Sequence, residues 1–170
     1  MRHPGSTEII PWPSRELPGI LDALILPEDT YLVLQAVTEE LDPNVTPLDL
    51  WAAVERAATA EKYPLGSVVI TDGRARGVKY VAWVIVYDFE DDPICQREIV
   101  LASLRDALGE LTTRGCGAIG VFPLGTMCGG ISQEEYFTAV NEVVTRSGSV
   151  FPQTLYLLGP HPAPGVNPDP

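Results

Sequence analysis

The sequence predicts an α/β fold, a three-layer α/β/α sandwich built around a mixed sheet. Short apolar, β-branched runs alternate with segments of helical periodicity along most of the chain. Two strand runs follow one another directly across Asp72-Gly73, which breaks a purely parallel winding. The 170 residues are 45% hydrophobic and 20% charged, enough to bury one core without disulfides or metal. The domain spans 19–159, preceded by an extension over 1–18 and followed by a Pro-rich tail over 160–170.

Gly19-Ile-Leu-Asp-Ala-Leu-Ile-Leu26 reads as a buried strand stopped by Pro27. Asp29 or Thr30 caps a helix running to about Leu41. Thr46-Pro47-Leu48-Asp49 resembles a capping box with Pro at the first helical position, opening a second helix to about Glu61. Gly66-Ser-Val-Val-Ile-Thr71 is a short strand. Val78 to Tyr87 is apolar almost throughout, as expected of a central strand covered on both faces. A helix follows Pro93, with Leu101, Leu104, Leu108 and Leu111 on one stripe, and ends near Gly115. Gly117-Ala-Ile-Gly-Val-Phe122 is the next strand. Ser132-Gln-Glu-Glu135 is a capping box that opens a helix closed by Gly148, with Phe137, Val140 and Val144 on one face. Val150 to Leu158 forms the last strand, and Pro160, Pro162, Pro164, Pro168 and Pro170 make the tail extended.

Composition narrows the function. Eleven Lys/Arg against 23 Asp/Glu give a net charge of −12, which repels phosphate backbones and anionic lipid. Neither a nucleic-acid nor a membrane partner is expected. The longest apolar run, Val81-Ala-Trp-Val-Ile-Val-Tyr87, is far below the ~20 residues of a membrane helix. Cys95, Cys116 and Cys128 are odd in number and lack CxxC spacing, and no signal peptide is visible, so a reduced cytoplasmic protein is expected. Its termini are candidate oligomer contacts.

The strongest functional signal is Val121-Phe-Pro-Leu-Gly-Thr-Met-Cys-Gly-Gly-Ile-Ser132, where a buried strand leads through a glycine-rich loop into a capped helix. Glycines let the backbone approach a ligand, and N–H groups at a helix start converge on an anion. Such a local nest acts despite the overall charge. A tight turn without a ligand fits the same residues. Glu28 and Asp29 follow the first strand and face the same strand ends, either as carboxylates for a water or a ribose hydroxyl or as helix caps. Cys128 has no plausible base, because His3 and His161 lie in the Pro-rich ends. Asp88, Glu90, Asp91 and Asp92 match no calcium loop and read as a solvated helix entry, so no metal is expected. Arg74, Arg76 and Lys79 form a small basic cluster after the turn, which suits a phosphate contact but reads better as a solvated turn.

From Gly19 to about Leu158 these segments resemble a macro domain, the family that binds ADP-ribose and related nucleotides. Ile20-Leu-Asp-Ala-Leu-Ile25 resembles its first conserved strand, Leu65-Gly-Ser-Val-Val-Ile-Thr-Asp-Gly73 its G-x-x-x-x-T-x-G strand and turn, and Phe122-Pro-Leu-Gly-Thr-Met-Cys-Gly-Gly130 its second phosphate-binding loop. The resemblance implies that Asp22 contacts the adenine amine, and that Gly125, Thr126, Met127, Cys128, Gly129 and Gly130 wrap a diphosphate and distal ribose. The chain departs from the family after the first strand. Leu26-Pro-Glu-Asp-Thr30 stands where the family carries an Asn-rich stretch and a first glycine loop, and Trp83 stands where a His is often found.

The resemblance thus implies a module for ADP-ribose or a related nucleotide diphosphate, without a cofactor, in which the departures count against hydrolysis. The alternative is a degenerate macro-like domain serving as a structural or protein-interaction unit.

Overall fold

The strand runs assemble into one mixed sheet in a computed structural model of the chain, which describes residues 6–14, 16–32, 34, 62–127, 130–146 and 151–159. Its elements are β1 (Glu8–Trp12), β2 (Ala23–Asp29), β3 (Val68–Asp72), β4 (Tyr80–Tyr87), α1 (Arg97–Thr113), β5 (Ala118–Val121), α2 (Gln133–Arg146) and β6 (Thr154–Leu158). Across the sheet the order is β1-β6-β5-β2-β4-β3. Every pair is parallel except β3 with β4, the two strands joined through Asp72-Gly73.

β4 lies inside the sheet, between β2 and β3, as its apolar content requires. Ala82, Val84 and Val86 point to one face, where they pack with Val100, Leu104, Leu108 and Leu111 of α1 and with Tyr136, Val140 and Val143 of α2. Each fully buried Leu of α1 contributes roughly 1.5–3 kcal/mol relative to exposure. Val81 belongs to a second apolar cluster on the other face, with Leu24, Leu26, Tyr156 and Leu158. Of the helix expected to run to about Leu41, residues 30–32 form a turn with Leu32 at φ 56° and Leu34 is helical, while its remainder, the helix expected from 46 to 61, Gly148 and the tail lie outside the described residues.

The structure corrects three boundaries. β2 does not stop at Pro27 but runs through it to Asp29. Ile25 turns its carbonyl toward the β5 side and accepts the Phe122 N–H at 3.0 Å. Pro27 therefore faces the same side two residues later, where the pairing with β5 has already ended at Ile25, so its missing N–H breaks no rung. The segment expected as an N-terminal extension supplies β1, an edge strand on β6. Glu8 donates to Gln153 at 2.9 Å, so Pro11 faces outward, where a strand tolerates proline. Finally, α1 begins after Gln96 rather than at Pro93, whose peptide bond to Asp92 is cis and lies in the preceding loop.

β2, β4 and β5 are parallel neighbours, so the loops after them open at the same end of the sheet. Ligands of open α/β sheets gather there.

Candidate functional site

Three walls rise from that end. The first is the loop from β5 to α2. Gly125 is buried with φ +77°, and a Cβ on it would lie 2.7 Å from Cys95 Sγ and 2.9 Å from Val100 Cγ2. Only glycine combines that turn with that approach. The loop closes on itself: Ile131 N–H donates to Gly125 O at 2.8 Å, and Gly130 N–H to Met127 O at 3.0 Å. At its exit the capping box is reciprocal, Ser132 N–H to Glu135 Oε2 at 2.7 Å and Glu135 N–H to Ser132 Oγ at 3.1 Å. That Ser132 contact holds the Glu135 carboxyl below its ordinary range. Met127 N–H donates to the phenol oxygen of Tyr87 at 3.0 Å. The N–H groups of Gly125 and Thr126 have no hydrogen-bond partner among the described residues. Cys128 and Gly129 lie outside the described residues.

The second wall is the end of β2. Glu28 and Asp29 are both buried at 2% exposure. Asp29 Oδ1 accepts the Tyr31 N–H at 2.7 Å and Oδ2 the Leu34 N–H at 2.6 Å, so its carboxylate caps the chain leaving the sheet. Glu28 Oε2 accepts the Asp29 N–H at 3.2 Å. Between the two readings of Asp29 the geometry favours the cap.

The third wall follows β4. Phe89, half exposed, stacks on buried Tyr87 with ring centroids 5.7 Å apart and planes 4° from parallel. Tyr31 Oη donates to Glu90 at 2.9 Å, and Lys62 Nζ reaches Asp88 at 3.2 Å while lying 5.3 Å from the Tyr31 ring centroid. Lys62 Nζ also pairs with Glu90 Oε2 at 2.5 Å, and that bond pushes the Lys62 pKa upward and pulls the Glu90 carboxyl below its usual range. Asp88 and Glu90 are thus clamped by a cation, and among the described residues no His/Cys/Asp/Glu group is placed to hold a metal.

Asp22 stands apart. It precedes β2 at the amino end of the sheet, seven residues before Asp29 and therefore roughly 20 Å away along a strand rising about 3.3 Å per residue. Its Oδ2 accepts the Gly117 and Ala118 N–H groups at 2.9 and 3.1 Å, and its Oδ1 accepts Lys79 Nζ at 2.7 Å. The Lys79 hydrogen bond holds the Asp22 carboxyl below its ordinary value. The structure joins Glu28, Asp29, Gly125, Thr126, Met127 and Gly130 at one end and leaves Asp22 at the other. In the basic cluster, Arg74 pairs with Asp72, and Arg76 lies over the Trp83 ring at 5.6 Å from its centroid. Burial pushes the Cys95 thiol up to about 11, which makes it packing rather than a nucleophile.

Two site residues escaped the sequence. Tyr87 reads as the last residue of an apolar strand, and only the reach of its hydroxyl to a loop 40 residues on reveals more. Lys62 lies 26 residues before Asp88, with no local spacing to mark the pair.

No sequence-family model and no curated relative matches the chain. Solved structures do resemble it. The Oceanobacillus iheyensis macrodomain with ADP superposes with a TM-score of 0.58 at 17% identity, over 81% of this chain and 75% of that one. A G37V mutant of that macrodomain with ADPR gives 0.61 at 17%, over 92% and 89%. The macrodomain of Thermus aquaticus DarG gives 0.57 at 19%, over 92% and 99%. The sheet order, the glycine loop at the strand ends and these superpositions agree: the chain has the macrodomain fold, in a divergent form.

Proposed function

We propose that the cleft at the carboxyl ends of β2, β4 and β5 binds a nucleoside diphosphate of the ADP-ribose type. The observation that carries this reading is the pair of backbone N–H groups at Gly125 and Thr126, which have no partner among the described residues. The described N–H groups that follow them, at Met127, Gly130, Ile131 and Ser132, are all hydrogen-bonded. Two adjacent backbone donors on a glycine turn suit a phosphate oxygen. They act at contact distance, where the net charge of −12 is largely screened. The similar macrodomains solved with ADP and ADPR support the same ligand class. Hydrolysis is not part of the proposal: both Asp29 oxygens are engaged by backbone donors, which leaves that carboxylate poorly placed to activate water.

One observation favours a second reading, a protein-interaction unit without a nucleotide. The chain leaving β2 carries the buried carboxylates Glu28 and Asp29 where a second phosphate cradle would have to form. Calorimetry with ADP-ribose, ADP and AMP separates the two. The wild type should bind the diphosphates with micromolar affinity or weaker and in preference to AMP. Thr126→Glu, which sets a carboxylate beside the donors, should abolish binding while leaving the melting temperature near that of the wild type. No binding of any of the three by the wild type moves the assignment to the interaction unit.

A further inference from the structure

We propose that Tyr87 is the positioning residue of this cleft: its phenol oxygen holds the Met127 N–H and thereby presents the Gly125 and Thr126 donors to a phosphate. The inference rests on the nucleotide reading above. Tyr87 is fully buried, gripped by the core and stacked against Phe89, so its hydroxyl cannot wander. That hydroxyl makes, among the described residues, the only hydrogen bond from residues 124–130 to another element. The bonds within the loop fix its shape, but they do not fix its height above the sheet. Met127 directly follows Thr126, so its anchor sets the direction in which the preceding amides point. The backbone of the same residue holds the opposite wall, because Tyr87 O accepts the Thr30 N–H at 3.0 Å. One residue at the end of β4 therefore references two walls to each other. Positioning of this kind acts through small displacements, to which contacts with a rigid ligand are steeply sensitive.

Tyr87→Phe keeps the ring, its burial and its stack on Phe89 and removes only the oxygen. Met127 lies in a partly exposed loop, so its N–H can turn to water once the phenol oxygen is gone, and the melting temperature should fall by no more than a few degrees. The Met127 amide should nevertheless exchange with solvent faster by NMR, and the dissociation constants for ADP-ribose and ADP should rise about tenfold, the effect of one hydrogen bond. Should the variant fold poorly, protection of the Met127 amide in the wild type decides: a rapidly exchanging Met127 amide overturns the proposal. A folded Tyr87→Phe protein that binds ADP-ribose as tightly as the wild type also overturns it. A wild type that binds neither nucleotide overturns the underlying reading instead.

Discussion

A Cβ on Gly130 would run into the carbonyl oxygen of Gly125, the same oxygen that accepts the Ile131 N–H at 2.8 Å. The two ends of the loop are thus in backbone contact, and Gly130 is required by its neighbour rather than by its own dihedral angles. Gly130→Ala should cost about 1–3 kcal/mol, the usual penalty for forcing an atom into a packed site. It should also open the loop and abolish binding of ADP-ribose. Thermal unfolding and calorimetry on the same sample check both. A Gly130→Ala protein of unchanged stability would mean that the loop does not close as described.

Asp29 distinguishes a cap from a base. Because its two oxygens accept the Tyr31 and Leu34 N–H groups, Asp29→Ala should lose about 1–2 kcal/mol in urea unfolding, while Asp29→Asn recovers part of it. A variant with wild-type stability would remove the cap and reopen a chemical role for the carboxylate.

Asp22 gives a pH signature. Its folded-state carboxyl is held below the ordinary 3.8 by Lys79 and by the Gly117 and Ala118 amides. A depressed carboxyl contributes stability above its unfolded value and loses it as the pH falls through the folded one. Asp22→Asn should therefore cost about 1 kcal/mol at pH 7, with the gap to wild type closing below pH ~4. Lying at the amino end of the sheet, the substitution should leave ADP-ribose affinity unchanged. A stability gap independent of pH, or a loss of affinity, would contradict the placement of Asp22.

Val84 tests the interior of the sheet. It is fully buried between β2 and β3 and faces α1 and α2, with no partner there for a charge. Val84→Asp should aggregate or unfold, since an unpaired buried carboxylate costs more than most domains can offset. A soluble variant with an unchanged melting temperature would contradict the central position of β4.

What was legible in the sequence was local. The Ser132-to-Glu135 capping box holds because both partners lie within one helical turn, and the apolar run ending at Tyr87 needed only its own composition to read as an interior strand. Pro27 misled because whether a strand tolerates proline depends on where its neighbour ends, and β5 is nearly 100 residues away in sequence. β1 was hidden for the same reason: an edge strand with an outward-facing Pro11 shows no pattern until β6 is present beside it. In the site, the glycines of the 125–130 loop announced themselves. Tyr87, Lys62 and the displacement of Asp22 to the far end did not, because each follows from distances across the fold rather than spacing along the chain.

The nucleotide reading has Gly125 and Thr126 donate their N–H groups to a diphosphate. The most direct measurement is an amide NMR titration of the full chain with ADP-ribose, with AMP as the control. The largest saturable shifts should fall on Gly125 and Thr126, they should be much smaller with AMP, and the Gly117 and Ala118 amides beside Asp22 should stay still. Saturable shifts centred on Gly117 and Ala118, or no shifts at all at millimolar ADP-ribose, would contradict it.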